Sequence, residues 1–544
     1  MIRFAIAQLN SHIANLEQNL IKATNSCIEA KHNNADIIIF PELFLTGYTP
    51  QDLLLECEFI KSCQEQLFKF KQQTKHLDLY IIIGHISNGS NKNTIHNSAY
   101  VIYKGEELAV YNKINLPNHG VFDEKRYFSA GYQPTIVNFK NTNVSLELAI
   151  CEDIWHTKSY DDNTKHGDIL ISINASPFQI NKHPERVEKL SQHIHKKQSA
   201  VYVNMVGGQD EIVFDGSSFI LDNNNQLTTQ LAKFKEQIAY HDYDENKKNW
   251  IRQDNNISLN LNIFEDIYNA TVLATRDYVR KTNFKKIVLG LSGGVDSALV
   301  ACIAVDALGK ENVHTIMMPS EYTSDISLQD AQQLAQNLGI SYEIIAISPI
   351  LDAFKQSLSA SFDNLPVLTN DVSFENLQAR IRGNLLMAYS NRTNSLVLTT
   401  GNKSELAVGY CTLYGDMCGA FNPIKDILKT QVYKVCEYYN NINTHKIPLR
   451  ILTRAPSAEL RPDQTDQDSL PPYEILDKIL VEHIEKYKNA DEIIAGGIDA
   501  HTVKRILRLI KINEYKRNQG AIGVKISSRA FGKDWRYDIS KFIG

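Results

Sequence analysis

Short apolar runs rich in β-branched residues alternate with amphipathic stretches along almost the whole chain, and this alternation points to layered α/β architectures. In the first half, IRFAIAQL, ADIIIFP, LYIIIGHI, AYVIY, LELAICED, DILISINAS and AVYVNMVGG read as strands. Residues 16–33 read as an amphipathic helix, and HPERVEKLSQHIHKK as another that carries Pro184 at an early position. In the second half an amphipathic helix over 263–282 precedes four strands, KKIVLG, NVHTIMMP, SYEIIAI and SLVLTT. Helices over 297–308, in ISLQDAQQLAQNLG and in FENLQARIRGNLLMAYSNR separate those strands. Such a β-α-β-α run predicts a parallel, doubly wound sheet. Between the halves, residues 223–260 are dominated by Asn, Asp, Gln and Lys and read as a linker with at most an edge strand or two. The expected division is a layered α/β domain over 1–222, a linker over 223–260 and a second α/β domain over 261–544.

Composition narrows the classes of function. A chain of 544 residues has room for two large domains, each with its own core. With 43% hydrophobic and 22% charged residues and a net charge of -5, it reads as a soluble globular protein. That balance argues against a general nucleic-acid binder and against a basic membrane-surface protein. MIRFAIAQLN reads as a strand and not as a signal peptide, and no run approaches 18 consecutive apolar residues. The eight cysteines, at 27, 57, 63, 151, 302, 411, 418 and 436, form no CxxC pair. Neither a zinc knuckle nor a disulfide framework is indicated, and a cytoplasmic setting fits best.

Two segments of the second half carry phosphate chemistry. Gly290, Leu291, Ser292, Gly293, Gly294, Val295, Asp296 and Ser297 lie between a buried strand and a helix. Ser292, Gly293 and Gly294 can turn tightly enough to point backbone N–H groups at an anion, and the helix N-terminus adds positive partial charge. Asp296 can hold a magnesium ion (Mg2+) against the phosphates. The plainer reading is a glycine-rich turn that Asp296 caps. Neither GxGxxG nor GxxxxGK[ST] is present. The string SGGVDS after a strand instead resembles the pyrophosphate loop of ATP-pyrophosphatases, which cut ATP between its α and β phosphates. The second segment, TTGNKSELAVGY, follows SLVL and leads to YGD and then Lys429; this resembles the NAD synthetases. That resemblance implies a Rossmann-like fold of the adenine nucleotide alpha hydrolase type. It also implies ATP contacts at Thr400, Lys429 and Ser457, and a magnesium pair of Asp296 and Glu405. The deamido-NAD contacts it implies are Asn376, Glu405, Asp416 and Lys525. Read without it, Asp416 and Glu405 are solvated loop carboxylates and Lys429 is a helix surface charge.

Three segments of the first half carry amidase chemistry. FPEL ends a strand with Glu42, YNKINLPN holds Lys113, and LAICEDIW ends a buried strand with Cys151. A thiol nucleophile, a carboxylate base and a cation for the oxyanion are the groups that amide hydrolysis needs. A lysine close to the cysteine is also expected to lower its pKa. Taken singly, Cys151 is a small core residue, Glu42 a helix cap and Lys113 a surface charge. The order Glu, Lys, Cys resembles the nitrilase superfamily of carbon–nitrogen hydrolases, which implies an αββα sandwich and a second glutamate at Glu124. Resemblance to its glutaminase members implies glutamine contacts at His119, Ser176 and Lys182. Residues 204–216, NMVGGQDEIVFDG, resemble the same glutaminases and are expected to act through backbone groups.

An amidase of this type ahead of this phosphate loop resembles the glutamine-dependent NAD synthetases. The pairing implies a ligase in which ATP adenylates deamido-NAD and ammonia from glutamine then displaces AMP. Small-molecule substrates (deamido-NAD, ATP as co-substrate, and glutamine), magnesium, and self-assembly through the synthetase half are implied, with no nucleic acid or membrane partner. Another adenylating amidotransferase remains the alternative among enzymes. Outside catalysis, the first half would serve only as a docking module.

Overall fold

The computed structural model describes residues 1–89, 94–139, 142–156, 165–251, 262–366 and 371–542. The chain forms two compact units: one of residues 1–207 and 214–261, the other of residues 208–213 and 262–544.

The first unit opens with β1 (Ile2–Gln8), α1 (Leu16–His32), β2 (Ile37–Ile39), α2 (Cys57–Thr74) and β3 (Tyr80–Asn88), followed by β4 (Ile95–Tyr103) and β5 (Glu106–Asn112). Then come β6 (Ile136–Asn138), β7 (Ser145–Ile150), β8 (Ile169–Asn174), α3 (Lys182–His193) and β9 (Ser199–Asn204). A hairpin of β10 (Val206–Gln209) and β11 (Ile212–Asp215), whose residues 208–213 belong to the other unit, precedes β12 (Phe219–Leu221), β13 (Leu227–Gln230), β14 (Gln237–Asp244) and β15 (Asn249–Trp250). One sheet has the order β15-β14-β1-β2-β3-β4-β5, the other β13-β12-β9-β8-β7-β6. Side chains from both, among them Phe4, Ile39, Ile82, Leu148, Ile171 and Val203, share one buried core, as the inner faces of a sandwich do. The outer face of the first sheet buries Ala23 and Cys27 of α1 and Phe70 of α2; that of the second buries Leu190 of α3. The layers are therefore α, β, β, α. Their central strands run parallel, so both faces need cover, and the apolar runs in the sequence are correspondingly continuous.

The expected linker over 223–260 needs correction across its described part. β14 pairs antiparallel with β1 from Ile2↔Tyr243 to Gln8↔Gln237. Tyr243 and Trp250 are buried in the inter-sheet core, the Trp250 ring 4.9 Å from that of Phe4. The segment looked like a linker because its polar residues occupy half-exposed strand positions and the turn at 245–248. Residues 252–260 lie outside the described residues.

The second unit begins with α4 (Ile263–Lys281), β16 (Lys286–Gly290), α5 (Val295–Leu308), β17 (Val313–Met317), α6 (Asp325–Leu338) and β18 (Ser341–Ile344). It continues with α7 (Ser348–Phe362), α8 (Ser373–Thr393), β19 (Ser395–Val397), α9 (Lys403–Val408) and α10 (Lys429–Ile442). Its sheet has the order β18-β17-β16-β19 with every pairing parallel, the predicted doubly wound form. Since β16 lies between β17 and β19, the direction of winding reverses there. Ligands bind such sheets at the carboxyl ends of the strands on either side of that reversal. The SGGVDS loop follows β16 and Thr400 follows β19, so the fold delivers both segments to that crevice. A separate helical cluster, with Leu406, Leu476, Leu480, Val503 and Ile506 at its centre, buries the inner side of α9. No helix among the described residues is long and apolar enough to cross a membrane.

Candidate active sites

Glu42, three residues past the end of β2, is fully buried, and so is Lys113, just past β5. Lys113 Nζ donates to Glu42 Oε1 at 2.7 Å and to Glu124 Oε1 at 2.9 Å. Glu42 Oε1 also accepts from Asn97 Nδ2 at 2.7 Å, and Oε2 accepts from the Ala175 N–H at 2.9 Å. Tyr48 OH donates to Glu124 Oε1 at 2.8 Å, while Glu124 Oε2 is buried without a partner among the described residues. Burial, opposed by Lys113 and reinforced by Glu42, pushes the Glu124 carboxyl up to about 7. Burial works against the Lys113 charge, but Glu124 and Glu42 outweigh it and hold the ammonium well above its ordinary range. Removing one partner from such a buried set is costly, because it strands a charge away from water.

Cys151 begins a single 3-10 turn directly after β7, with φ +44°, a left-handed conformation that strains a residue bearing a Cβ. Asp153 holds the turn. Its Oδ2 accepts from the Ile150 N–H at 3.0 Å and from Tyr111 OH at 2.8 Å, and its Oδ1 from the Asn115 N–H at 2.8 Å. Cys151 lies within electrostatic reach of Glu42, Lys113 and Glu124. Contrary to the expectation of a lowered thiol pKa, burial first and Glu42 second push it well up, and Lys113 offsets only part of this. The resting group is a thiol, and a base must take its proton during attack.

In the second unit, Gly293 adopts φ +81°, and a Cβ there would stand 2.4 Å from Ser327 O. Ser297 Oγ, 3.1 Å from Ser292 Oγ, donates to Gly294 O at 3.0 Å and accepts from the Ser292 N–H at 3.3 Å. These bonds shape the loop at the start of α5. Lys429 Nζ bridges Asp296 Oδ2 at 2.5 Å and Glu405 Oε1 at 3.0 Å. Asn402 caps α9 through the Glu405 N–H and donates to Asp296 Oδ1 at 2.9 Å. Burial, opposed by Lys429 and assisted by Asp296, pushes the Glu405 carboxyl up to about 8. Burial is also outweighed at Lys429, which Asp296 and Glu405 keep well above its ordinary range. Two carboxylates thus converge on one cationic point beside a phosphate-type loop.

A carbon-nitrogen hydrolase family model matches residues 3–252 and an NAD synthase model residues 267–520. The chain is 45% identical over 541 residues to the glutamine-dependent NAD(+) synthetase of Acinetobacter baylyi, covering 99% of this chain and 98% of that one. Against the synthetase of Thermotoga maritima the figures are 43% over 574 residues, 99% and 98%. The chain belongs to the glutamine-dependent NAD(+) synthetase family. A solved glutamine-dependent NAD+ synthetase from Acinetobacter baumannii, in complex with adenosine diphosphate, is 41% identical with a TM-score of 0.78, covering 99% of this chain and 98% of that one.

For a synthetase of this family, the structure places the other sequence-predicted residues unevenly. Ser176 is buried: its Oγ accepts from Arg186 Nε at 3.1 Å and its N–H donates to Asn204 Oδ1 at 2.9 Å. Lys182 Nζ sits 4.0 Å from the Trp155 ring centroid and pairs with Glu185 at 2.9 Å. His119 is largely exposed, its Nε2 3.5 Å from Glu152 Oε1. Asn376 and Asp416 are brought together by Thr412, whose Oγ1 donates to Asn376 Oδ1 at 2.8 Å and whose N–H donates to Asp416 Oδ1 at 2.6 Å. Burial pushes the Asp416 carboxyl up to about 6. Thr400 is half-buried at the strand edge. Ser457 Oγ turns back on its own loop and donates to Gln464 O at 2.5 Å. Lys525 Nζ pairs with Asp534 at 2.7 Å and donates to Ser527 O at 2.6 Å, contacts that do not link it to Asn376 or Asp416.

Several side chains in this synthetase were not singled out in the sequence. Residues 204–216 contribute side chains as well as backbone. Asn204 Nδ2 donates to Ser176 O, and Asp215 holds the buried Arg186 guanidinium at 2.8 Å. Asn97, Asn402 and Arg382 were also passed over. Burial pushes Arg382 down to about 10, and among the described residues its only hydrogen bond is from Nε to Met318 O at 2.9 Å. Only Asn402 carries a local signal, the capping box it forms with Glu405; the others gain their partners from distant segments.

Proposed function

We propose that the chain makes NAD from deamido-NAD, with ATP as the activating substrate and glutamine as the nitrogen donor. The reading rests on one observation: a single chain carries a buried Glu42–Lys113–Cys151 set and, separately, a phosphate-type loop whose Asp296 converges with Glu405 on Lys429. End-to-end similarity to the synthetases supports the same pairing.

In the first unit, Cys151 Sγ attacks the glutamine carboxamide carbon as its proton passes to Glu42. The Lys113 ammonium steadies the oxyanion. Glu42 returns the proton to the departing ammonia and then draws a proton from water, which releases glutamate and restores the thiol. Ser176 and Lys182 contact the amino-acid end of glutamine, and the exposed His119 closes over it. In the second unit, backbone N–H groups of residues 290–297 hold the β and γ phosphates. The nicotinate carboxylate then attacks the α phosphorus and pyrophosphate leaves. Ammonia attacks the resulting acyl-adenylate, AMP leaves, and the amide of NAD is formed. Thr400, Lys429 and Ser457 are assigned to ATP; Asn376, Glu405, Asp416 and Lys525 are assigned to deamido-NAD.

Asp296 and Glu405 also fit magnesium. Their hard carboxylate oxygens converge on Lys429 Nζ, and Asp296 adds to the burial that raises the Glu405 carboxyl, a repulsion that a cation between them relieves. Magnesium bound there would offset charge on the triphosphate. Lys429 supplies part of that offset and would yield one carboxylate oxygen to the ion. Association of copies through the second unit and a cytoplasmic location complete the proposal.

The deciding experiment incubates the protein with ATP, deamido-NAD and either glutamine or ammonium, and separates the products. NAD, AMP and pyrophosphate are expected with both nitrogen sources. ADP with inorganic phosphate, or amidation of a different acid, would overturn the reading in favour of another amidotransferase.

A further inference from the structure

Asn97 stands on β4 with its side chain fully buried. Its backbone carbonyl accepts from the Lys113 N–H at 2.8 Å, so the same residue anchors the backbone of the lysine whose ammonium it faces across Glu42. Its Nδ2 donates to Glu42 Oε1, and its Oδ1 is buried with no partner among the described residues. The orientation of the amide is settled by chemistry: an ionised carboxylate only accepts, so the nitrogen must face it. A buried, unpaired oxygen disfavours folding, and an apolar side chain of similar size would avoid that penalty. Packing alone therefore does not account for an asparagine here.

Counting acceptor positions on Glu42 does. An ionised carboxylate has about four lone-pair sites, two on each oxygen. Asn97 Nδ2 and Lys113 Nζ, each at 2.7 Å, fill both sites on Oε1. The Ala175 N–H fills one site on Oε2, at 2.9 Å. Among the described residues this leaves one acceptor site, on Oε2. We propose that Asn97 is a positioning residue for amide hydrolysis: with Lys113 it saturates Glu42 Oε1, so that the proton leaving the Cys151 thiol is delivered to Oε2. The O–H bond forms on Oε2 as the S–H bond breaks, and the same proton later goes to the departing nitrogen. The inference rests on Glu42 being the proton acceptor. The other titratable groups facing Glu42 are Lys113, Glu124, Cys151 and Tyr48.

The test uses the full-length protein and three variants, Asn97→Leu, Asn97→Asp and Glu42→Gln, with glutamine hydrolysis and ammonium-driven NAD synthesis measured side by side. In Asn97→Leu the kcat for glutamine hydrolysis should fall on the order of 10 to 100-fold, with KM within about threefold, as loss of alignment at a reacting centre does. The acid limb of its pH profile should move to higher pH, because a donor that favours the charged carboxylate is gone. Ammonium-driven synthesis should hold within about twofold, consistent with loss of a donor only in the amidase site. Asn97→Asp keeps the shape but donates only when protonated, so its activity should be confined to the acid side of the parent profile. If the Leu variant fails to fold, this second profile decides. Unchanged kcat and profile in both, with Glu42→Gln inactive on glutamine, would overturn the role of Asn97 alone. Full activity of Glu42→Gln would instead remove the reading on which it rests.

Discussion

Cys151 combines a strained left-handed backbone with a thiol held neutral by burial. The buried side chain joins the inter-sheet core, but the backbone strain does not serve packing and persists where surrounding structure fixes it, here through Asp153 and its donors from Ile150, Tyr111 and Asn115. Replacing Cys151 by Ala should abolish glutamine-driven NAD synthesis and leave ammonium-driven synthesis within about twofold, since only the covalent step on the amide is lost. Measuring NAD with each nitrogen source checks this; glutamine turnover surviving in the variant would reassign the nucleophile. Asp416 offers a stability test. Its carboxyl rises from 3.8 to about 6, chiefly through burial, so the fold favours the protonated form. That stabilisation is complete below pH 3.8 and is lost as pH rises through about 6. Asp416→Asn stays neutral and still accepts from the Thr412 N–H, so it should melt above the parent at pH 8, by on the order of 3 kcal/mol at most. Thermal denaturation at pH 4 and pH 8 checks it; an equal offset at both would remove the titration argument. The candidate nucleophile, base and cation were readable because each sits in a multi-residue motif. The protonation of the thiol was not, because desolvation by several strands overrides the nearby lysine.

The loop between β16 and α5 has to pass close to Ser327, and Gly293 is the position where a side chain has no room. Gly293→Ala should displace the loop and raise the KM for ATP about tenfold or more, as a Cβ both collides and strains the backbone. Glutamine hydrolysis measured without ATP and deamido-NAD should change less than about twofold. Wild-type ATP kinetics in the variant would mean that the loop has slack the structure does not suggest. This loop was legible because glycines, a preceding apolar run and a following helix pattern occur together. The strands β13 to β15 were not. Their alternation is masked by half-exposed Asp, Thr and Gln, and what fixes them is pairing with strands that no local pattern announces, β14 with the distant β1, β13 with β12 and β15 with β14, together with the burial of Tyr243 and Trp250. The side-chain roles of Asn204 and Asp215, in a stretch expected to act through its backbone, were not legible for a related reason: their partners, Ser176 and Arg186, lie in another segment.

The chain joins two chemistries that were legible as a pair, since each half carries its own ordered motifs; the assignment of individual contacts within each half was less so, as Lys525 and Ser457 illustrate by their local partners. The pairing makes the two nitrogen sources a diagnostic. Changes confined to the amidase set should affect glutamine alone, whereas changes to the phosphate loop and its carboxylates should affect both. Asp296→Asn and Glu405→Gln are close to isosteric and remove one charge each from the pair bridged by Lys429. In the parent, that pair and the lysine carry a net charge near -1 when both acids are ionised, which suits a cation and a triphosphate together. Each substitution weakens the hold on magnesium and leaves Lys429 with one ionic partner. Loss of preorganised charge stabilisation at a reacting phosphate is worth roughly 10²-fold or more in rate. Both variants should therefore lose about that much NAD synthesis from glutamine and from ammonium alike, with a higher magnesium requirement, while glutamine hydrolysis assayed alone persists. Steady-state rates over a magnesium titration, with each nitrogen source, provide the check. If either variant kept parental ammonium-driven rates at every magnesium concentration, the carboxylates would not be holding the ion, and Lys429 alone would have to balance the triphosphate.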